Sequence, residues 1–169
     1  TGLNSAPEEA LYPLVTALAA LSGLMQESMI RGIGWRFMEL GKRIERALQI
    51  INTVRCLVTP VTPEGDEPTL LTALLVSMEV LITYRRRGRQ RRGIELGLEL
   101  VMLDGSNPRS LLFQLERLQQ HLAELPKATM QGCVLEEEDR TLLEAVTSLR
   151  LSRVPLLLET TSTVRADMD

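Results

Sequence analysis

The sequence has little of the side-chain chemistry on which most metal sites and catalytic triads depend. It contains one histidine, His121, and two cysteines, Cys56 and Cys133, which are far apart and form no CxxC pair. These residues are too few for a disulfide framework, a zinc site or a Ser–His–Asp triad. The sequence also has no GxxxxGK[ST] loop and no GxGxxG motif. We therefore expect no metal and no cofactor, and the catalytic residues, if the chain has any, are unknown.

Long apolar runs are also missing. The longest uncharged run, residues 10–26, is interrupted by Pro13 and Gly23. It is shorter than the ~20 apolar residues that span a bilayer, so we expect a buried helix and no membrane partner. Two cysteines that are far apart and form no CxxC pair fit a reducing, cytoplasmic location. The chain opens with Thr1 and has no signal peptide, which indicates that it begins at a domain boundary.

Aromatic and strand-forming residues are sparse, and helix-forming residues are abundant. Aromatics make up 3% of the sequence, apolar residues 44% and charged residues 24%, and leucine dominates the apolar set. Unbranched side chains such as Leu, Glu, Arg and Met lose little rotamer freedom in a helix. The composition therefore predicts an all-α fold with a sizeable core, in one domain over residues 1–169. The net charge of −3 gives no general attraction to nucleic acid.

Apolar residues at helical spacing, separated by glycine, proline and capping residues, predict a bundle of about six helices. The first begins near Ser5, and the last opens at residues 136–139 and is interrupted at Pro155. Between them we expect helices over about residues 35–58, from 69 into an arginine run, 91–103 and 108–125. Asn107 is expected to cap the fifth helix, with Pro108 at its first position.

The second predicted helix contains the most informative stretch, GWRFMELGKRIERA at residues 34–47. One predicted apolar stripe comprises Phe37, Leu40, Ile44, Leu48 and Ile51, and a second face carries Trp35, Met38, Lys42, Glu45, Gln49 and Cys56. Spacing allows Lys42 to pair with Glu45. The charges predict a polar cluster, which either binds an anionic ligand or joins the first two helices: Glu27, Arg31, Lys42, Glu45 and Arg46. We favour the structural network, because partly buried charges need partners even without a ligand.

Two further segments carry notable charge. Residues 84–92 begin with Tyr84, Arg85 and Arg86 and contain six arginines, which suit phosphate, RNA or an acidic partner. We favour a solvated or ion-paired run, because cations stabilise a helix C-terminus and few aromatics accompany them. In the segment DGSNPRS, Arg109 is expected in a first helical turn, where the helix dipole disfavours a cation. That position favours a carboxylate or a ligand that holds Arg109, and the alternative, a solvated arginine, is the more common case.

Four segments in order resemble the Alpha-E family of predicted α-helical domains. They are residues 21–29, the stretch 34–47, residues 84–86, and Asp104 with residues 107–110. The resemblance covers about residues 18–125, and the ER pair that characterises the family is Glu45-Arg46 here. Lys42 stands where the family has arginine. The resemblance implies that this chain is the C-terminal half of a longer helical domain.

The resemblance also implies a partner, because Alpha-E domains occur beside or fused to ATP-grasp proteins. The first hypothesis is therefore a helical accessory domain of an ATP-grasp ligase in a bacterial peptide synthesis or modification system. The alternative is half of an enzyme site, in which Glu45 acts as a general acid or base and Arg46 or Arg109 holds an anionic or peptidyl substrate. A homodimer would cover the apolar faces of an incomplete domain. Nucleic-acid binding through residues 85–92 is the least favoured hypothesis, because the net charge is acidic.

Overall fold

The computed structural model describes residues 7–58, 66–88, 93–126, 135–158, 160–161 and 164–165. The all-α prediction is confirmed, since helices dominate these residues and the strands are two residues each. The helices are α1 (Pro7–Ser28), α2 (Ile33–Leu57), α3 (Glu67–Ser77), α4 (Leu81–Arg87), α5 (Ile94–Leu98), a π-helix (Glu99–Leu103), α6 (Leu111–Ala123), α7 (Glu137–Leu151) and α8 (Val154–Leu157). The strands β1 (Thr160–Thr161) and β2 (Val164–Arg165) pair antiparallel.

The chain forms two compact units, residues 1–36 and residues 37–169. The first unit contains α1 and the first turn of α2. The helix expected over the uncharged run is present as α1. It was expected to be buried, but its apolar stripe is exposed in this structure: Leu11, Leu14, Val15, Leu18 and Leu21. An apolar helical stripe gains stability only when another surface covers it. The predicted cap Ser5 lies outside the described residues.

The second unit holds the hydrophobic core. Leucine and valine side chains from α3, α5, the π-helix and α7 are almost completely enclosed: Leu74, Leu75, Leu98, Leu100, Val101 and Val146. Gly97 in α5 allows close packing on α3, since a Cβ there would lie 2.5 Å from Leu71 Cδ1. The buried face of α2 adds Ala47, Ile50 and Val54 to this core.

The predicted apolar stripe of α2 is therefore not the buried one. The face that packs on the core carries Glu39, Ala47, Ile50 and Val54. The stripe of Phe37, Ile44, Leu48 and Ile51 is exposed, and Leu40 is half-buried. Both sets have helical spacing, and only the arrangement of α3, the π-helix and α6 around α2 decides between them.

The third predicted helix is two helices, because the chain turns at Glu79. This residue has a φ of 54°, in the left-handed region. The amide of Val80 donates to the carbonyl of Leu75 at 2.9 Å, and the amide of Glu79 donates to the carbonyl of Val76 at 2.9 Å. These bonds form a Schellman motif, which ends α3 and is usually built with glycine at the left-handed position. The helices α3 and α4 are bent by 118° at this break.

The cap of α6 also differs from the prediction. Ser110 is the N-cap, and its hydroxyl accepts a hydrogen bond from the amide of Phe113 at 3.1 Å. The Asn107 side chain does not cap α6. Its Nδ2 donates instead to the carbonyl of Leu100, in the preceding π-helix, at 2.8 Å. Residues 107–110 consequently form a turn before the helix. The predicted interruption near Pro155 is confirmed, because α7 ends at Leu151 and α8 begins at Val154.

Some predicted features fall outside the described residues: the connection at 60–65 between the second and third predicted helices, the arginines at 89, 91 and 92, and Cys133. Within the residues that are described, no single helix has both the length and the apolar character to cross a membrane. Only α3 and α4 taken together meet that criterion, by length and composition.

Candidate functional site

The charged centre of the second unit is Glu39 on α2, which is 2% exposed. Its carboxylate accepts hydrogen bonds from Lys42 Nζ at 2.9 Å and from Arg43 Nη2 at 3.0 Å. The predicted Lys42–Glu45 pair is therefore wrong, and Lys42 pairs with the glutamate three residues before it. Glu45 is exposed instead. Glu39 can be buried because two cations on the same face of the helix, Lys42 and Arg43, neutralise its charge.

The environment of Glu39 keeps its carboxylate ionised. Burial by itself would raise the pKa of Glu39, but the hydrogen bonds and charges of Lys42 and Arg43 outweigh it and hold the pKa below the usual value of 4.5. Arg43 extends the network to α6, where its Nη1 donates to Gln114 Oε1 at 3.3 Å. Gln114 is fully buried, and its Nε2 donates to the carbonyl of Pro108. The network thus ties α2 to the turn that carries Arg109.

A polar cleft of about 170 Å³ opens beside this network. It brings together two of the predicted site residues, Arg46 and Arg109, which lie far apart in the sequence. The remaining walls come from α2, α3 and the turn before α6: Gln49, Ile50, Ser77, Met78, Pro108 and Gln114. Glu45 is not among the lining residues. The cleft therefore joins the arginine of the ER pair to Arg109 without the glutamate of that pair.

The two arginines of the cleft differ in their partners. Arg109 pairs with the carboxylate of Glu79, the residue at the α3–α4 turn. Arg109 precedes the cap of α6, so it lies outside the helical turn in which we expected it, and Glu79 is the carboxylate that holds it. Arg46 has no hydrogen bond or ion pair to any residue that the structure describes. The cleft thus contains one paired and one available guanidinium.

The arginine run is only partly engaged. Tyr84 is buried, and its hydroxyl accepts a hydrogen bond from the amide of Gly93 at 2.9 Å. Arg87 pairs with Asp104 at 2.5 Å, while Arg85 and Arg86 are exposed. Burial would raise the pKa of Asp104, but hydrogen bonds from Ser106 and Arg87 lower it below the usual value. Tyr84 and Asp104 therefore have structural contacts.

The predicted residues before position 37 belong to the first unit. Arg31 donates to the carbonyl of Gln26 at 2.6 Å, and its guanidinium lies 4.5 Å from the ring centroid of Trp35. Glu27 is exposed. The five-residue cluster predicted from the sequence is thus divided between the two units, and a network joining the first two helices stays a prediction.

An apolar groove of about 520 Å³ lies on another side of α2 in the second unit. It runs between α2, the π-helix, α6, α7 and α8, and most of its walls are apolar: Ile50, Ile51, Val54, Met102, Leu111, Leu115, Ala145, Leu149 and Leu157. Ile51 belongs both to this groove and to the exposed α2 stripe. We call the stripe of Phe37, Ile44, Leu48 and Ile51, together with the groove, the α2 apolar surface.

Four residues with hydrogen bonds or ion pairs at the site were not predicted from the sequence: Glu39, Arg43, Glu79 and Gln114. The pairing of Glu39 could have been predicted, because a glutamate four residues before an arginine is the favourable orientation for an ion pair on a helix. Glu79 and Gln114 had no such signal, since their partners are 30 and 71 residues away. Among the residues that the structure describes, no group of three or more His, Cys, Asp or Glu side chains is placed to hold a metal ion.

Comparison with known proteins adds a family and relatives from two mycobacterial species. Residues 2–169 match the model of a family described as a predicted alpha-helical domain with a conserved ER motif, Alpha-E. Uncharacterized proteins Rv2567 of Mycobacterium tuberculosis and Mb2597 of Mycobacterium bovis are each 39% identical to the chain over 124 residues, or 73% of its length. The matched region spans 14% of the length of these relatives. No solved structure matches the chain.

Proposed function

This chain belongs to the Alpha-E family, and from that membership and its surface we propose that it is a helical interaction domain that works with an ATP-grasp ligase. The system would be one of bacterial peptide synthesis or modification. The ligase would supply the ATP-dependent chemistry, and this chain would dock on it through the α2 apolar surface. The proposal assigns no turnover to the chain alone.

The α2 apolar surface carries this proposal. Phe37, Ile44 and Leu48 are 60%, 47% and 49% exposed, on a helix whose other face is buried in the core. Contiguous exposed apolar surface of this kind is uncommon on free monomers and often marks an interaction site. The adjoining groove is lined mostly by apolar side chains. Docking of the apolar face of a helix in an apolar groove is a common mode of peptide and domain recognition.

The length of the relatives supports a large partner. The matched region spans 14% of each mycobacterial relative, so domains similar to this one occur inside much longer polypeptides. The ATP-grasp identity of the partner rests on the family resemblance. Because such ligases use ATP, and because the chain has two cysteines far apart in sequence, we place the system in the cytoplasm.

Disrupting the α2 apolar surface should weaken ligase binding while the chain stays folded. In titration calorimetry against the ATP-grasp protein, we expect Leu48→Asp to weaken binding at least tenfold, roughly 1.4 kcal/mol, since a charge would then be buried at the interface. Leu48 is exposed in this structure, so helicity by circular dichroism should be unchanged.

Leu143→Asp is the matched control, because Leu143 is also an exposed apolar residue, on α7, and does not line the groove. It should bind like the wild type. A well-folded wild type that does not bind the ligase would contradict the proposal. So would equal weakening by both variants, or concentration-dependent self-association that Leu48→Asp abolishes while ligase binding persists.

A further inference from the structure

We propose that the cleft between Arg46 and Arg109 is a binding site for the carboxylate of a small molecule or of a peptide terminus. This goes beyond the proposed function, because docking is assigned to the α2 apolar surface, with which the cleft shares Ile50 alone among the lining residues. No catalytic step is included. The cleft would hold and orient the carboxylate.

The charge of the cleft favours an anion. Its lining contains two guanidinium groups and no carboxylate. Within the described part of the chain, Arg46 has no ion pair, and the Gln49 amide and Ser77 hydroxyl beside it have no side-chain hydrogen bond. Three donors on two helices thus face one small space. An arginine fork and neutral donors together match the acceptor-only oxygens of a carboxylate.

Glu79 does not line the cleft, but it places a carboxylate on one of the two arginines that do. Its side chain already pairs with Arg109, and this carboxylate is 66% exposed. The residue occupies a left-handed position where glycine would be less strained. A glutamate at a strained turn, with its carboxylate on an arginine of the cleft, would act as an internal substitute for a bound carboxylate. Because an exposed ion pair is weak, an incoming carboxylate can displace it or share Arg109.

The cleft is held in shape by the buried network beneath it. Gln114 lines the cleft, and it links Arg43 to the carbonyl of Pro108, the residue before Arg109. Glu39 in turn holds Arg43. A site whose arginine sits on a turn that is fixed by a fully buried side chain loses less entropy when it binds a ligand.

The size and walls of the cleft indicate a small ligand. Its volume of about 170 Å³ is below the range for drug-sized pockets. Ile50 and Met78 add apolar side chains to the lining of the cleft. This combination suits a carboxylate that is attached to a short apolar or amide-bearing segment.

The test measures binding of N-acetylglycine to the full-length protein by NMR or calorimetry. N-acetylglycinamide and inorganic phosphate are the comparison compounds. The acid should bind at millimolar or tighter affinity, and the amide at least tenfold more weakly, because it lacks the charge that the guanidinium groups bind. Arg46→Ala should weaken binding of the acid about tenfold. Glu79→Gln should strengthen it about threefold by removing the internal competitor.

Arg150→Ala is the matched control. Arg150 is an exposed arginine that pairs with Glu116 on α6, as Arg109 pairs with Glu79, but it does not line the cleft. Its variant should bind the acid like the wild type. The proposal is overturned if the acid does not bind, if the acid and the amide bind equally, if Arg46→Ala binds as well as the wild type, or if phosphate binds more tightly than the acid. None of these outcomes alters ligase binding by the α2 apolar surface, so the two proposals fail separately.

Discussion

The substitution Glu39→Gln should lower the free energy of unfolding by about 3 kcal/mol at neutral pH, the lower end of the range for breaking a buried ion pair. The variant keeps the shape of the side chain but removes the charge that Lys42 and Arg43 bind at 2.9 and 3.0 Å. Both cations would then be left without their carboxylate, and Arg43 is mostly buried. Chemical denaturation monitored by circular dichroism measures the effect.

Glu45→Gln makes the same chemical change on the same helix, at an exposed position. It should change stability by no more than about 0.5 kcal/mol, as surface substitutions usually do. Equal effects of the two variants would show that Glu39 does not organise the buried network.

The contribution of Glu39 should also depend on pH in one direction. Because its pKa is lower in the folded chain than its usual value of 4.5, the folded state favours the ionised form. The stabilisation is therefore fully present above the unfolded pKa and is lost as the pH falls through the folded pKa. The stability difference between the wild type and Glu39→Gln should shrink below pH 4.5. A difference that grows on acidification would contradict the assigned pairing.

The substitution Leu98→Ala should destabilise the chain by about 3 kcal/mol or more, the range for leucine side chains removed from a packed core. Leu98 is 0% exposed and lies at the end of α5, next to the glycine that packs on Leu71 of α3. Removing its side chain would leave a cavity between elements that are already in close contact. Thermal and chemical denaturation would both report the loss.

Leu151→Ala is the control for that prediction, since Leu151 is 74% exposed at the end of α7. It should have little effect on stability. If the two leucine variants were equally stable, the core would not be centred on α5 and the π-helix.

The sequence predicted the helices of this chain better than it predicted their buried faces. For α2, the stripe of Phe37, Ile44 and Leu48 is more apolar than the face that contains Glu39, so periodicity favoured it. The structure buries the other face, because the ion pairs of Glu39 make burial of its charge acceptable and the core helices pack there. The more apolar stripe remains exposed, which is the reason for assigning a partner to it.

The candidate site was predictable only in part. Arg46 and Arg109 were identified from local sequence features, and the structure places both at one cleft. That Arg46 and Arg109 line the same cleft could not be predicted, because their proximity depends on the packing of α2 against α3 and the turn before α6. The cap of α6 shows a similar limit: Asn107 and Ser110 are both good caps by residue type, and the bond from Asn107 to the carbonyl of Leu100 decides in favour of Ser110.

The α2 helix thus has three surfaces with different roles. One face is buried with Glu39, Ile50 and Val54 in the core. The exposed apolar stripe lies about 120° away around the helix, at 100° per residue. Arg46 and Gln49, on the other side of the buried face, line the cleft. Partner docking and carboxylate binding therefore share the side chain of Ile50 and otherwise use different side chains.

The most direct test of the central claim is thiol labelling of the full-length protein with its ATP-grasp part or partner present. Ile44→Cys and Leu143→Cys would be compared in a background in which Cys56 and Cys133 are serine. Ile44 and Leu143 are 47% and 46% exposed in this structure, so accessibility here does not distinguish them. If the α2 apolar surface docks on the ligase, maleimide should label the Ile44→Cys thiol far more slowly than the Leu143→Cys thiol. Equal labelling rates would contradict the account.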